Sequence, residues 1–414
     1  MSQPSVVVIG AGQAGLQVAV SLREQRYEGR VVLVGDEPHV PYQRPPLSKA
    51  YLLGESSEAQ LALRPATYFE QHGIELITGK RAVAIDRAHC KVGLDDDSVL
   101  QYDHLVLATG ARNRPLPVPG ADLQNVLYLR TLDEADSLRA RMANAKTAVV
   151  IGAGFIGLEF AASAMKQGLA VTVLDVADRP MARAISTTMS AVFTREHENS
   201  GMCMLFNAQV LRLLGEGDRV RAVETVDGQL LHADLVVIGI GVIPNAELAA
   251  TCNLPVEDGV VVDEFLQTCD PQVSAIGDVA SHPNSYAQVP RSRLESVQNA
   301  CDQARCVAAR LVGRPAAYEA LPWFWSFQGN LKLQMAGLPA RGCQEVLRGD
   351  PQGTACSVFL FREGKLVCVE SLNRAADHML ARRLLASRAE LTAEQAADTA
   401  FDLKSLLPKQ QAAG

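Results

Sequence analysis

Val6-Val7-Val8-Ile9-Gly10-Ala11-Gly12-Gln13-Ala14-Gly15-Leu16 stands near the start of the chain, and Val149-Val150-Ile151-Gly152-Ala153-Gly154-Phe155-Ile156-Gly157-Leu158 repeats its pattern far downstream. Each copy begins with a short β-branched run that reads as a strand buried in a parallel sheet. Three glycines spaced Gly-x-Gly-x-x-Gly follow, then a helical stretch through Leu16, Val20 and Leu22 in the first copy and from Leu158 in the second. Another strand comes next: Val31-Val32-Leu33-Val34 ends at Gly35-Asp36, and Val171-Thr172-Val173-Leu174 ends at Asp175. A later echo supports the duplication. Asp103-His104-Leu105-Val106-Leu107-Ala108-Thr109-Gly110 matches Asp234-Leu235-Val236-Val237-Ile238-Gly239-Ile240-Gly241, an Asp opening each strand and a glycine closing it. Strand, glycine turn, helix, strand and acid, twice over, predict two dinucleotide-binding halves.

The chemistry of the pattern is specific. The first glycine makes a tight turn, the second lets a pyrophosphate approach the backbone, and the third lets helix and strand pack closely, with the helix N-terminus facing the phosphates. Asp36 lies 24 residues after Gly12 and Asp175 lies 21 after Gly154, where a carboxylate can accept hydrogen bonds from a ribose diol. At Asp175 a carboxylate repels the 2′-phosphate of NADP and so favours NADH, an effect that nearby Arg179 and Arg183 could offset.

Length and composition narrow the alternatives. At roughly 150 residues per domain, 414 residues suffice for two or three domains. With 48% hydrophobic and 21% charged residues, disorder, collagen-like repeats and a disulfide-stapled mini-protein are excluded. A net charge of −7 does not favour nucleic acid or an anionic membrane as main partner. The nine cysteines are scattered, without secreted-framework or zinc-type spacing, so no metal site is expected. No signal peptide and no apolar run of membrane-spanning length is read, which makes the cytoplasm the default location.

From Pro322 onward the pattern changes. Leu331-Lys332-Leu333-Gln334-Met335 alternates, Ser357 to Phe361 and Leu366 to Ser371 flank a hairpin turn, and a helix carries Leu380, Leu384 and Leu385. The chain beyond Pro408 reads as a frayed tail.

Further motifs add a resemblance. Arg44-Pro45-Pro46-Leu47-Ser48-Lys49, Leu129-Arg130-Thr131, Ile276-Gly277-Asp278, Glu295-Ser296-Val297 with Asn299, Phe324-Trp325-Ser326, and Asn373-Arg374 with Asp377 occur in this order. Together with both glycine motifs they span nearly the whole chain. The set is similar to the FAD-dependent, NADH-using ferredoxin reductases, which include the putidaredoxin and rubredoxin reductases and the reductase components of aromatic-ring dioxygenases.

The resemblance implies an α/β fold with two Rossmann-like domains of the glutathione-reductase kind, for FAD and NAD, and a smaller α+β C-terminal domain. The FAD-binding domain would comprise 1–113 and 243–320, the NADH-binding domain 114–242, and the C-terminal domain 321–414. It implies FAD phosphates on Gly10, Gly12, Ala14 and Gly15, and FAD ribose on Asp36. Arg44, Lys49, Val83, Ala108, Thr109, Gly110 and Arg130 would make further FAD contacts. Gly277 and Asp278 would hold the ribityl and phosphate region, with Val297 near the ring. Gly152, Gly154, Ile156 and Gly157 would take the NADH pyrophosphate, with Asp175 and Arg183 at the adenosine end and Gly241 closing the late strand. Lys49, Glu159 and Trp325 would act beside the flavin and nicotinamide, although an acid in a helix's first turn is also favourable on dipole grounds alone. Trp323 would lie towards the ferredoxin face.

The activity implied is hydride transfer from NADH to FAD, then single electrons to a [2Fe–2S] ferredoxin or a rubredoxin that supplies an oxygenase or P450. Two alternatives stay open: an NADH:quinone or small-radical reductase, and a redox-sensing flavoprotein of the apoptosis-inducing-factor kind. The wider superfamily's disulfide reductases carry a cysteine pair early in the chain, whereas no cysteine precedes Cys90 here. Cys301 and Cys306 lie five apart on a predicted helix and so do not share a face closely. The family commonly has an acid after Ser326, where this chain has Phe327. Since ferredoxins are typically acidic, Arg291, Arg293, Arg305, Arg310, Lys332 and Arg341 are candidates for a basic docking patch.

Overall fold

The computed structural model describes residues 4–350 and 352–407, so the tail beyond Pro408 lies outside the described residues. The chain forms two compact units. One gathers the chain up to Gln43 with Glu58–Arg112 and Val242–Ala320; the other gathers Arg44–Ser57, Asn113–Gly241 and the chain from Leu321 onward.

The first unit is built on a parallel sheet in the spatial order Val273–Ala275, His104–Leu107, Ser5–Ile9, Arg30–Val34, Ile74–Ile77. Its inner strands are apolar at consecutive positions because both faces are covered: Val7, Val8, Val31, Val32, Leu33, Leu105 and Val106 have no exposed surface. Each such side chain contributes about 1.5–3 kcal/mol by leaving water. The helix Gln13–Glu24 packs on this sheet and against the helix Val297–Leu311. A three-stranded antiparallel sheet, Ala82–Asp86, Lys91–Leu94 and Val99–Gln101, is inserted before the strand His104–Leu107.

The second unit repeats this wiring. Its parallel sheet runs Val126–Leu127, Leu235–Ile238, Thr147–Ile151, Ala170–Leu174, Cys203–Leu205. The helix Phe155–Lys166 takes the place of Gln13–Glu24. Again a three-stranded antiparallel sheet, Val210–Glu216, Arg219–Thr225 and Leu230–His232, precedes the late strand. The predicted duplication is therefore present down to its insertions.

The same unit carries an antiparallel sheet in the order Trp323–Gln328, Leu331–Gly337, Lys365–Leu372, Cys356–Arg362, Gln344–Gly349. The expected hairpin closes with Arg362 opposite Lys365. Glu363 and Gly364 both have positive φ, 50° and 73°, the geometry that a two-residue turn between twisted strands requires. The helix Ala375–Ala386 packs on this sheet through Ala381, Leu384 and Leu385, against Phe359 and Phe361.

Candidate functional site

In the first unit the glycine turn has the shape its spacing predicts. Gly10 holds φ 110°, and a Cβ there would lie 2.1 Å from the Ala108 carbonyl oxygen. At Gly15 a Cβ would lie 1.9 Å from the Gly10 oxygen, so only glycine lets helix and strand approach. Gly12 differs: a Cβ would meet nothing within 4 Å, and it would point into open space at the start of a helix that no side chain caps. Open space and uncapped N–H groups fit the phosphates of a dinucleotide.

Other predicted residues collect around this turn. Ala108 N–H donates to the Ile9 oxygen at 2.7 Å, and Thr109 Oγ1 donates to the Asn245 oxygen at 2.7 Å while Asn245 Nδ2 donates back at 2.9 Å. Gly110 continues from there with φ 65°. Gly277 N–H donates to Gln303 Oε1 at 2.7 Å, and a Cβ on Gly277 would lie 3.1 Å from that of Ala14, which sets Asp278 beside the turn. Val297 begins its helix behind the Ser296 cap. Asp36 is exposed at the strand end, 3.5 Å from Arg81. Val83 is 53% exposed on the inserted sheet.

The second cradle repeats the first. Gly152 has φ 108° with the Gly239 oxygen 2.4 Å from a Cβ, and Gly157 would clash with the Gly152 oxygen at 2.2 Å. Gly154 starts its helix without a side-chain cap, its nearest neighbour 3.8 Å away, and Ile156 is exposed beside it. Asp175 is held more firmly than sequence reasoning suggests. Its Oδ2 accepts from Ala153 N–H at 2.7 Å and its Oδ1 from Ala177 N–H at 2.8 Å, so the carboxylate is fixed against the turn. Arg183 is exposed, its Nη2 lying 3.7 Å from a Cβ on Gly241.

Within the same unit Lys49 and Glu159 meet at 2.5 Å. Lys49 follows the 3-10 turn Pro45–Ser48, and Glu159 is 4% exposed on the helix Phe155–Lys166. That helix starts at Phe155 and has no acid in its first turn, so dipole placement does not account for Glu159. Four donors do. Oε2 accepts from Ser48 Oγ at 2.6 Å and from Lys49 Nζ; Oε1 accepts from Ser326 Oγ at 2.8 Å and from Phe327 N–H at 3.3 Å. A buried carboxylate needs such partners, since an unpaired one costs several kcal/mol. Only the backbone of Phe327 takes part, so the identity of the side chain at that position does not enter this cluster. Ser48 and Ser326 were visible inside the motifs without a role; the alternation that puts Ser326 and Gln328 on one face of their strand was the available signal.

That alternation sends Trp325 to the other face, where it lies 5.4 Å from Trp323 between ring centroids. Trp323 also contacts His378, and the guanidinium of Arg382 sits 4.5 Å over its ring. Arg44 Nη1 donates to the Arg130 oxygen at 2.8 Å. Thr131 and Glu134 form a capping box for the helix Leu132–Met142, a local structural reason for the Leu-Arg-Thr motif.

The basic-patch expectation needs correction. Arg293 pairs with Glu295 at 2.6 Å and Asp258 at 3.3 Å, and Arg305 pairs with Asp302 at 2.7 Å. Arg310 is turned inward to Ser274 at 2.5 Å, and Arg291 donates to the Val262 carbonyl. These four charges are taken up by their own unit. Lys332 and Arg341 are exposed, and the half-buried Arg382, which sequence reasoning missed, adds a third basic group in the same unit. Cys301 and Cys306 are free thiols with separate partners, Gln13 Nε2 at 3.2 Å and the Ala316 oxygen at 3.3 Å, as their spacing suggested.

Residues 4–304 match the family model described as pyridine nucleotide-disulphide oxidoreductase, and residues 323–407 match the model described as reductase C-terminal. The chain is similar to rhodocoxin reductase of Rhodococcus erythropolis, 53% identical over 98% of this chain and 95% of that protein. It is also similar to the crystal structure of a ferredoxin reductase for the CYP199A2 system from Rhodopseudomonas palustris, with TM-score 0.95 and 51% identity over 98% of this chain and 100% of that one. A covalent putidaredoxin reductase–putidaredoxin complex matches with TM-score 0.95 and 38% identity over 98% of both chains.

Proposed function

The chain belongs to the pyridine nucleotide-disulphide oxidoreductase family, with the reductase C-terminal domain, and on that premise we propose that it is an FAD-dependent NADH:ferredoxin oxidoreductase. Its acceptor is a [2Fe–2S] ferredoxin, or a rubredoxin, that supplies an oxygenase or P450 in the cytoplasm. The observation that carries the reading is the pair of matching glycine cradles together with the Lys49–Glu159 cluster beside the second. Among the described residues no helix is long and apolar enough to cross a membrane.

In this reading the FAD-binding domain comprises 1–113 with 243–320, the NADH-binding domain 114–242 and the C-terminal domain 321–414. Gly10, Gly12, Ala14 and Gly15 hold the FAD phosphates, and Asp36, Ala108, Thr109, Gly110, Gly277, Asp278 and Val297 complete that cradle. Arg44, Lys49, Val83 and Arg130 belong to the FAD contacts that the resemblance implies. Gly152, Gly154, Ile156 and Gly157 hold the NADH pyrophosphate, with Asp175, Arg183 and Gly241 around the adenosine. FAD, when bound, supplies hydride acceptance from NADH and the release of electrons one at a time.

The protein's own groups bind, orient and exclude. Asp175, fixed by two backbone N–H groups, presents a carboxylate that cannot swing away from a 2′-phosphate, which selects NADH. Glu159 holds the Lys49 ammonium at one position, so that its charge favours electron density arriving nearby. Trp325, tilted against Trp323, would stand beside the flavin and nicotinamide as the resemblance implies. The test is the purified protein's flavin content and its anaerobic response to NADH. One FAD per chain, bleached by NADH far faster than by NADPH, is expected. A colourless protein, or a flavin that NADH leaves unchanged, overturns the proposal, whereas bleaching coupled to a monomer–dimer change favours a redox sensor.

A further inference from the structure

Between Asp175 and Ser186 lies the loop that carries Arg179 and Arg183. Its first half is tied to the glycine turn: Ala177 N–H donates to Asp175, and Met181 N–H donates to the Ala153 oxygen at 2.9 Å. Its far end is tied elsewhere, to the C-terminal sheet of the same unit. Glu370, on the strand Lys365–Leu372, has no exposed surface, and its two oxygens accept from Ser186 N–H at 2.8 Å and Ser186 Oγ at 2.5 Å. Glu345, on the strand Gln344–Gly349, accepts from Thr187 N–H and Thr188 N–H, both at 2.9 Å. Ser186 Oγ then accepts from Met189 N–H at 3.1 Å.

The first two N–H groups of the helix Thr187–Asn199 are thus met by Glu345 and the third by the hydroxyl of Ser186, which Glu370 in turn holds from the C-terminal sheet. Such donors are ordinarily met by a residue of the helix's own N-terminus or by water. Burying Glu370 for this purpose is unfavourable in itself, and the helix already has a local cap in the Ser186 hydroxyl. What the arrangement adds is a fixed exit for the loop. We propose that Glu370 and Glu345 are positioning residues for NADH: from the C-terminal sheet they fix the far end of the loop 176–185 and so the placement of Arg183 against the adenosine end. This rests on the reading that Asp175 and Arg183 bind NADH.

The test uses the FAD-loaded full chain, with NAD⁺ as equilibrium ligand and NADH with ferricyanide for steady-state kinetics. Glu370→Ala is expected to raise the NAD⁺ Kd and the NADH KM about tenfold and Glu345→Ala about threefold, with kcat nearly unchanged; tenfold corresponds to 1.4 kcal/mol. Glu370→Gln, whose amide can still accept from Ser186 N–H and donate to its hydroxyl, is expected to restore most of the affinity. Amide hydrogen exchange in 176–185 is expected to quicken in both alanine variants. Glu345 is exposed, so its variant tests the idea even where Glu370→Ala does not fold. Asp175→Ala and Arg183→Ala separate the two levels of the reading. Unchanged NAD⁺ affinity in those two removes the NADH assignment of the loop and the inference with it. Weakened affinity there, with wild-type affinity and exchange in both glutamate variants, overturns the inference alone.

Discussion

Replacing Glu159 with glutamine changes almost no volume, yet the structure makes it a costly substitution. All four groups around the carboxylate are donors: Ser48 hydroxyl, Lys49 ammonium, Ser326 hydroxyl and Phe327 N–H. Glutamine offers one acceptor oxygen and one donor NH2. Placed with its oxygen towards Lys49 and Ser48, it loses the charge of a 2.5 Å ion pair and aims its NH2 at Ser326 and Phe327. Ser326 can rotate its hydroxyl and accept; Phe327 N–H cannot. The lost charge assistance is worth about 1.5–3 kcal/mol and the orphaned N–H about 1 kcal/mol more. Because Lys49 keeps 22% of its side chain in contact with water, part of the first term is screened, and about 2–3 kcal/mol remains. For a unit of this size the melting temperature of the holoprotein is expected to fall by roughly 4–10 °C in differential scanning calorimetry. In a double-mutant cycle with Lys49→Met, the double variant is expected to be less destabilised than the two single changes together, by about 1–2 kcal/mol. A Glu159→Gln protein that melts within a degree of wild type, with additive effects in the cycle, would refute the reasoning.

Three further outcomes follow from other groups. Burial pushes the Glu370 carboxyl up to about 7 from its usual 4.5, so the folded state holds a proton that the unfolded chain releases, and stability falls as pH rises through that window. Wild type is therefore expected to lose on the order of 3 kcal/mol relative to Glu370→Gln between pH 4.5 and 7, and parallel stability–pH curves would count against this. Asp175→Ala removes the carboxylate that repels a 2′-phosphate, and the NADPH/NADH ratio of kcat/KM is expected to rise at least about tenfold; an unchanged ratio removes that residue from the account. Arg382→Ala should slow ferredoxin reduction severalfold without slowing ferricyanide reduction, and added salt should slow the first reaction more than the second in wild type. Equal effects on both acceptors would exclude a steering role for the Trp323–Arg382 surface.

The inner strands of both parallel sheets, unlike strands such as Ile74–Ile77 and Cys203–Leu205, were legible because a strand buried on two faces is apolar at nearly every position, and because the glycine spacing admits few other folds. The inserted sheets at 82–101 and 210–232 were not. Strands such as Ala82–Asp86, with Val83 and Ala84 exposed, carry no continuous apolar signal, and their pairing depends on neighbours distant in sequence. The same limit applies to the site. Glycines announce a cradle by local chemistry, whereas Ser326 and Ser48 acquire their role by reaching Glu159 across 167 and 111 residues. Spacing shows where charge lies, and so Arg293 and Arg305 looked available for a partner; it does not show the acids that pair with them. Glu345 and Glu370 gave no sign of contact with Ser186 and Thr187, because strand register alone brings them there.

The most direct test of the central claim is NADH-driven cytochrome c reduction by the FAD-loaded protein, measured with and without a [2Fe–2S] ferredoxin. The account expects little reduction by the protein alone and a large rise that depends on ferredoxin concentration and saturates. A flavin that NADH reduces, but that passes no electrons through any of several ferredoxins or a rubredoxin, would contradict it and point to a quinone reductase or a sensor.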